Sequence, residues 1–160
     1  MNNNFFFKIF CVSYFIQNSK TFSRYLLKLM EYTTNKITVR YSETDQMQFV
    51  HHSNYLKYFE LARLEWITVL GVSYSEMEKK GILMPVVKAN IEFKTPLYFG
   101  DEFQVSVVLK NIPRATIVFD YKIINQKNQM ICLGTTVLAF LSTLTKRPMR
   151  CPEILLVKFS

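Results

Sequence analysis

Asn54-Tyr-Leu-Lys-Tyr-Phe-Glu-Leu-Ala-Arg-Leu-Glu-Trp-Ile-Thr-Val-Leu70 is the stretch on which the fold turns. Its apolar residues fall at 55, 56, 58, 59, 61, 62, 64, 66, 67, 69 and 70. That is too many for a helix with one apolar face, so the spacing predicts a helix buried on most of its sides. Ser53 and Asn54 are good N-cap residues. Gly71 is a stop of the C′ type. Ser73-Tyr-Ser-Glu76 reads as a capping box, so a short second helix is expected up to Lys80, with Gly81 ending it.

Downstream the pattern turns to β. Residues 82–97 are strand-like but carry Pro85 and Pro96, which predict an edge or a bend. Phe99-Gly-Asp101 reads as a turn. Phe103, Val105, Val107 and Leu109 alternate with polar neighbours, as do Ile117, Phe119, Tyr121 and Ile123. Asn125 to Asn128 reads as a hairpin turn. Met130 to Leu141 reads as a last long strand, with Gly134 as a bulge. Upstream, Ile37-Thr-Val-Arg-Tyr41 reads as a strand and residues 42–53 as a loop. Strands separated by turns, with no helix between them, imply an antiparallel sheet. One long apolar helix and a meander of strands fit together when a curved sheet wraps the helix. The expected fold class is therefore α+β, of the hot-dog kind. Its open edges predict pairing with a second copy.

The chain has 160 residues, 49% hydrophobic and 20% charged, which indicates one globular domain with a substantial core. The net charge is +8. Residues 1–29 hold Lys8, Lys20, Arg24 and Lys28 and no acid, leaving 16 basic against 12 acidic side chains for the rest. The main domain is thus only mildly basic. No basic block with interleaved aromatics appears, so a nucleic-acid partner is not expected. Cys11, Cys132 and Cys151 are scattered and odd in number, which predicts free thiols in a reducing, cytoplasmic setting. Phe5 to Ile16 is apolar apart from Lys8 and Ser13, but shorter than the roughly 20 residues a membrane span needs. Residues 1–29 are therefore set apart as an extension, with residues 30–160 as the domain, and membrane association is not expected.

Chemistry concentrates in Tyr41-Ser-Glu-Thr-Asp-Gln-Met-Gln-Phe-Val-His-His-Ser-Asn-Tyr55. Asp45 lies seven positions before His52, which immediately precedes the helix cap. A carboxylate, an imidazole and unpaired helix N–H groups suit hydrolysis of an activated acyl group. A plain reading stands beside this one: Asp45 closing an Asx turn, and His52 packing on His51. Adjacent histidines rarely direct both rings at one ion, so no metal is expected. Glu60, on the helix, is a rival carboxylate, though an ion pair with Arg63 three residues on is the preferred reading of it.

Several segments together resemble a known family. Glu43-Thr-Asp-x-Met, Val50-His-His-Ser-Asn-Tyr-Leu56 and Tyr58-Phe-Glu-x-Ala-Arg63 look like the hot-dog acyl-CoA thioesterases of the 4-hydroxybenzoyl-CoA and tol-pal-associated group. Pro96-Leu-Tyr-Phe-Gly-Asp101, Gly134 and Thr145-Lys-Arg-Pro148 also fit. The resemblance spans about residues 36–153. It implies a cofactor-free hydrolase that splits an acyl-CoA into free acid and coenzyme A and works as a homodimer or homotetramer. Asp45 would be nucleophile or general base. His52, Asn54 and Tyr55 would mark the helix N-terminus that polarises the carbonyl, and Arg114 would contact the phosphates of coenzyme A. Alternatives are hydrolysis of an acyl group on a carrier protein, or a non-catalytic hot-dog module that binds acyl ligands. The sequence departs from the family at Gln48, where glycine is usual three residues after the catalytic Asp. That change bears on loop shape and pocket width.

Overall fold

The computed structural model describes residues 30–159. The extension 1–29, with Cys11, lies outside the described residues. In chain order the elements are β1 (Glu31–Thr33), β2 (Ile37–Thr38), α1 (Asn54–Val69), α2 (Tyr74–Lys79), β3 (Ile82–Leu83), β4 (Val86–Phe93), β5 (Glu102–Leu109), β6 (Thr116–Asn125), β7 (Met130–Ala139), β8 (Leu141–Ser142) and α3 (Glu153–Leu156). The main sheet is antiparallel and runs β1-β5-β6-β7-β4, with β2 also pairing β5.

Alternation in β5 and β6 sends Phe103, Val105, Val107, Leu109, Ile117, Phe119, Tyr121 and Ile123 to one buried face. That face packs on a stripe of α1 formed by Tyr55, Tyr58, Phe59, Ala62, Trp66 and Ile67, all buried. Burying a large apolar side chain contributes roughly 1.5–3 kcal/mol, so this two-layer contact dominates the stability of the domain. Trp66 meets Phe119 edge-on at 5.1 Å, a favourable aromatic geometry.

The sequence expectations hold for α1, α2 and strands β5 and β6. Ser73 Oγ caps α2 by accepting from the Glu76 N–H at 3.3 Å. Gly71 (φ 71°) and Gly81 (φ 78°) take the left-handed stop conformation. Pro85 and Pro96 flank β4, which is indeed an edge strand.

Several expectations need correction. The strand predicted over 37–41 is only β2, because Arg40 and Glu43 exchange hydrogen bonds and coil Tyr41–Glu43 into a 3-10 turn. The last strand breaks at Phe140, and β8 leaves the main sheet to pair with β3. Gly134 is not a bulge. It sits in regular register between Ile91 and Tyr121, and the irregularity in β7 lies nearer its start, opposite Ile123 and Ile124. Its missing side chain makes room for α1: a Cβ there would fall against the Phe59 ring. Neither Ser53 nor Asn54 caps α1 through its side chain. Finally, α1 is not buried on most sides within one chain. Leu56, Leu61 and Val69 remain exposed, Val69 at 67%.

Candidate active site

The loop between β2 and α1 closes on itself twice. Thr44 bridges Val50, and the Asp45 N–H donates to the Phe49 carbonyl at 3.0 Å. Inside that closure the Gln48 N–H returns to the Asp45 carbonyl at 2.9 Å. A turn this tight needs a left-handed residue, and Gln48 supplies it with φ 68°. Gln48 therefore keeps the backbone that glycine would adopt. Its side chain is exposed and does not line the cavity described below. A non-glycine residue there costs about 1 kcal/mol or more. Gln48→Gly is expected to raise the thermal midpoint modestly, by up to about 1 kcal/mol of stability after glycine's larger unfolded-state entropy is set against it. A lower midpoint in the variant would show that the Gln48 side chain stabilises the loop.

Asp45 uses one carboxylate oxygen locally: Oδ1 accepts the Met47 N–H at 2.8 Å, the Asx turn that the plain reading expects. The side chain also borders a cavity of about 430 Å³, so the turn does not withdraw it from the cavity. Asp45, His52 and Tyr55 all line this cavity, together with Met47, Phe49, Val50, Phe93 and residues 94–96. Its walls are mostly apolar and aromatic. Tyr55 meets Phe93 edge-on at 5.0 Å. Burial pushes the Tyr55 hydroxyl up to about 12, so this phenol stays protonated at neutral pH, while Lys94 and Asp45 bring one basic and one acidic side chain to the same lining.

The start of α1 is more particular than a bare helix end. The Asn54 N–H donates to the His51 carbonyl at 3.0 Å and the Tyr55 N–H to the His52 carbonyl at 3.4 Å. A turn at 51–54 thus consumes the N–H groups expected from Asn54 and Tyr55. The His52 N–H, just ahead of them, has no acceptor among the described residues. The His52 ring lies against His51 with centroids 4.1 Å apart and planes tilted by 37°, and His51 Nδ1 lies 2.8 Å from Ser53 Oγ. Asn54 is buried and serves the scaffold. Its Nδ2 donates to the Glu43 carbonyl, and its Oδ1 accepts from Lys57.

The remaining candidates stand elsewhere. Glu60 is exposed and pairs with buried Arg63 at 3.4 Å, as the ion-pair reading expects. Arg114 follows the far end of β5 and borders other clefts, beside Lys110 on one side and Arg150 on the other. The Asp45 loop is tied to the near end of β5, through Val50 to Leu97 and Val39 to Asp101. An eight-residue strand separates the two ends by roughly 25 Å. Among the described residues no three His, Cys, Asp or Glu side chains gather as metal ligands would.

Comparison with known proteins fixes the relationship. A model of the thioesterase-like superfamily matches residues 39–159. The chain belongs to the thioesterase-like superfamily. Its hot-dog fold is that of solved members. A DHNA-CoA thioesterase from Staphylococcus aureus shares 36% identity and superposes with a TM-score of 0.72, covering 75% of this chain and 80% of the other. A Thermus thermophilus protein of unassigned function, TT1821, shares 31% identity with a TM-score of 0.74, covering 79% and 95%. In sequence, the Bacillus subtilis (strain 168) protein named "Putative acyl-CoA thioesterase YneP" is 40% identical over 107 residues, 67% of this chain and 78% of its own length.

Of the residues that sequence reading singled out, the structure brings Asp45, His52 and Tyr55 to this cavity and leaves Asn54 and Arg114 off it; Lys94, Thr95 and most of the apolar walls were not singled out. Met47, Phe49 and Phe93 are scattered over the loop and β4, and nothing in their local pattern marks them as neighbours. Only the structure shows that Met47 and Phe93 are large apolar residues that one chain leaves exposed, at 65% and 52%.

Proposed function

We propose that this protein is a thioester hydrolase that splits an acyl-CoA into free acid and coenzyme A at the cavity bordered by Asp45 and His52. The observation that carries the reading is the pairing of an incompletely used carboxylate with an unpaired backbone N–H on one apolar cavity. Asp45 Oδ2 has no hydrogen-bond partner among the described residues, and neither has the His52 N–H. In this reading the thioester carbonyl accepts the His52 N–H, which strengthens as negative charge builds on oxygen. The Asp45 carboxylate then either takes a proton from a water that attacks the carbonyl carbon, or attacks that carbon itself to give a mixed anhydride that a water afterwards hydrolyses to free acid and regenerated Asp45. On both routes the carbon–sulfur bond breaks and the coenzyme A thiolate leaves. The His52 imidazole stands at the same mouth and can protonate the departing sulfur.

The aromatic lining supports a compact or aromatic acyl group, as does the likeness to a DHNA-CoA thioesterase. The motif residues around Asp45 align the chain with the 4-hydroxybenzoyl-CoA and tol-pal-associated branch. A panel of short, long and aromatic acyl-CoAs, followed by released thiol, tests the whole reading. Release from acyl carrier protein alone would move the substrate to a carrier. Binding without release from any of them would make the domain a non-catalytic acyl binder. The buried thiols of Cys132 and Cys151 suit a reducing cytoplasm.

The working unit is a homodimer or a tetramer built from it. Seven of the eight β4 residues are exposed, Val87 at 59% among them, and among the described residues β4 pairs only with β7. A long edge that carries exposed Val86, Val87 and Phe93 is a surface that natural sheets cover. A second copy added there extends the sheet and covers the bare apolar residues. It also offers Arg114, which lies away from the Asp45 cavity of its own chain, a route to the phosphates of a coenzyme A held by the partner. Light scattering at micromolar concentration is expected to give at least a dimer, and Val87→Lys is expected to shift it toward monomer. A wild-type monomer would overturn this assembly.

A further inference from the structure

The loop that carries Asp45 and His52 holds one buried charge, and the mechanism above does not use it. Glu43 is 6% exposed, although it lies only two residues before Asp45. Its carboxylate faces back along the chain. Oε2 accepts the Arg40 backbone N–H at 2.8 Å, and Oε1 accepts Arg40 Nε at 3.2 Å and a second guanidinium nitrogen at 2.8 Å. The Glu43 N–H in turn donates to the Arg40 carbonyl at 3.0 Å. The Glu43 carbonyl faces forward. It accepts the His51 N–H at 2.9 Å and Asn54 Nδ2 at 2.8 Å. One residue therefore ties the incoming chain after β2 to the last turn before α1, and Asp45 to Val50 form the closed arch between those two anchor points.

We propose that Glu43 is the positioning residue of this site: its buried carboxylate, anchored on Arg40, fixes the carbonyl that holds His51 and Asn54, and so sets Asp45 and the His52 N–H against the same cavity.

A buried carboxylate is costly unless it is paired and hydrogen-bonded, so its presence here needs a reason. Burial acts to raise its pKa, but the hydrogen bonds from the Arg40 side chain and backbone outweigh this and hold the carboxyl below its ordinary value. Glu43 is thus an anion at neutral pH. The Arg40 guanidinium is largely exposed, which makes the ion pair a poor source of global stability. The Tyr58 hydroxyl of α1 is buried beside this anion without a hydrogen bond of normal geometry. The Glu43 charge and burial both raise the Tyr58 pKa, so its phenol is neutral and the anion is not opposed from α1. The polar groups of Glu43 are committed to local geometry, and that geometry belongs to the site loop.

This inference rests on Asp45 and His52 being the reacting pair, so its test has one readout that does not depend on them. Glu43→Gln keeps the volume and removes the charge; Glu43→Ala removes both. Amide hydrogen exchange in the unliganded full-length protein is expected to accelerate at Gln48, Val50 and His51 in both variants, while amides of β5 to β7 keep their protection. Kinetically, kcat is expected to fall about 10-fold or more with KM little changed, the signature of misplaced reacting groups rather than lost binding. Arg40→Ala leaves the Arg40 N–H in place and is expected to give a smaller loss, and adding it to Glu43→Gln is expected to cost little more, because the two act as a unit. Exchange that rises evenly across the whole sheet would reduce Glu43 to a general stabiliser and overturn the proposal. So would unchanged kcat per folded molecule. If Asp45→Asn keeps full turnover, the reading under Proposed function fails on that result, and the loop-exchange measurement still decides whether Glu43 holds the arch.

Discussion

Replacing Asp45 with Asn is expected to lower turnover by about 10²-fold or more, the usual scale for a lost acid–base group, with the fold unchanged. The substitution keeps the volume and keeps an oxygen able to accept the Met47 N–H, so the turn that Asp45 anchors survives. On the proposed mechanism, what is lost is the negative charge that attacks the thioester carbon or takes a proton from water. Circular dichroism and the thermal midpoint should match the wild type, and the loss should appear in kcat. Two further substitutions rank the roles. His52→Ala is expected to cost less, because the backbone N–H that meets the carbonyl oxygen remains. Glu60→Gln is expected to leave turnover nearly intact and to act, if at all, through the partner of buried Arg63. Were Glu60→Gln to abolish hydrolysis while Asp45→Asn kept most of it, the attacking carboxylate would lie on α1 and the site assignment would be wrong.

Gly134→Ala is expected to destabilise the domain by about 2–3 kcal/mol, at the upper end of ordinary overpacking costs. In a strand, exchanging glycine for alanine would otherwise gain about 0.5–1 kcal/mol, so the sign itself is informative. The reason lies across the sheet. Phe59 projects from α1 into the space above Gly134 and stacks on Tyr121, the cross-strand partner of Gly134, with centroids 4.3 Å apart and planes 11° from parallel. A methyl group at 134 would occupy the place of that ring, and a fully buried ring in a stack cannot swing aside cheaply. Phe59→Leu in the same chain should recover part of the loss, so that the double variant is less damaged than the two single costs added together. A Gly134→Ala protein as stable as the wild type would show that α1 lies farther from the sheet than described.

These two predictions mark where sequence reading ended. The existence of α1, the antiparallel meander, the edge position of β4 and the grouping of Asp45 with His52 were all legible. They depend on periods of two or three to four residues, on proline and glycine stops, and on a motif within fifteen consecutive positions. The role of Gly134 was not legible, because a strand glycine reads as a bulge until the side chain above it is known. Nor were the donors at the start of α1. Ser53 and Asn54 have the chemistry of caps, but tertiary contacts draw Asn54 to the Glu43 carbonyl, and a local turn uses the Asn54 and Tyr55 N–H groups, leaving the one at His52. Gln48 looked like a threat to the pocket, yet its backbone takes the left-handed angle and its side chain turns to solvent. The resemblance implies roles for both Arg114 and Asp45, but Arg114 lies beyond one end of β5 and the Asp45 loop is tied to the other. By itself, then, the order of residues determined which elements form and which polar groups are gathered in one loop, since both follow from short-range periodicity and chain proximity. Which N–H is left free, which ring fills which gap and which apolar face stays bare were decided only by packing between elements distant in the chain, where a few tenths of an ångström and one hydrogen-bond acceptor settle the outcome.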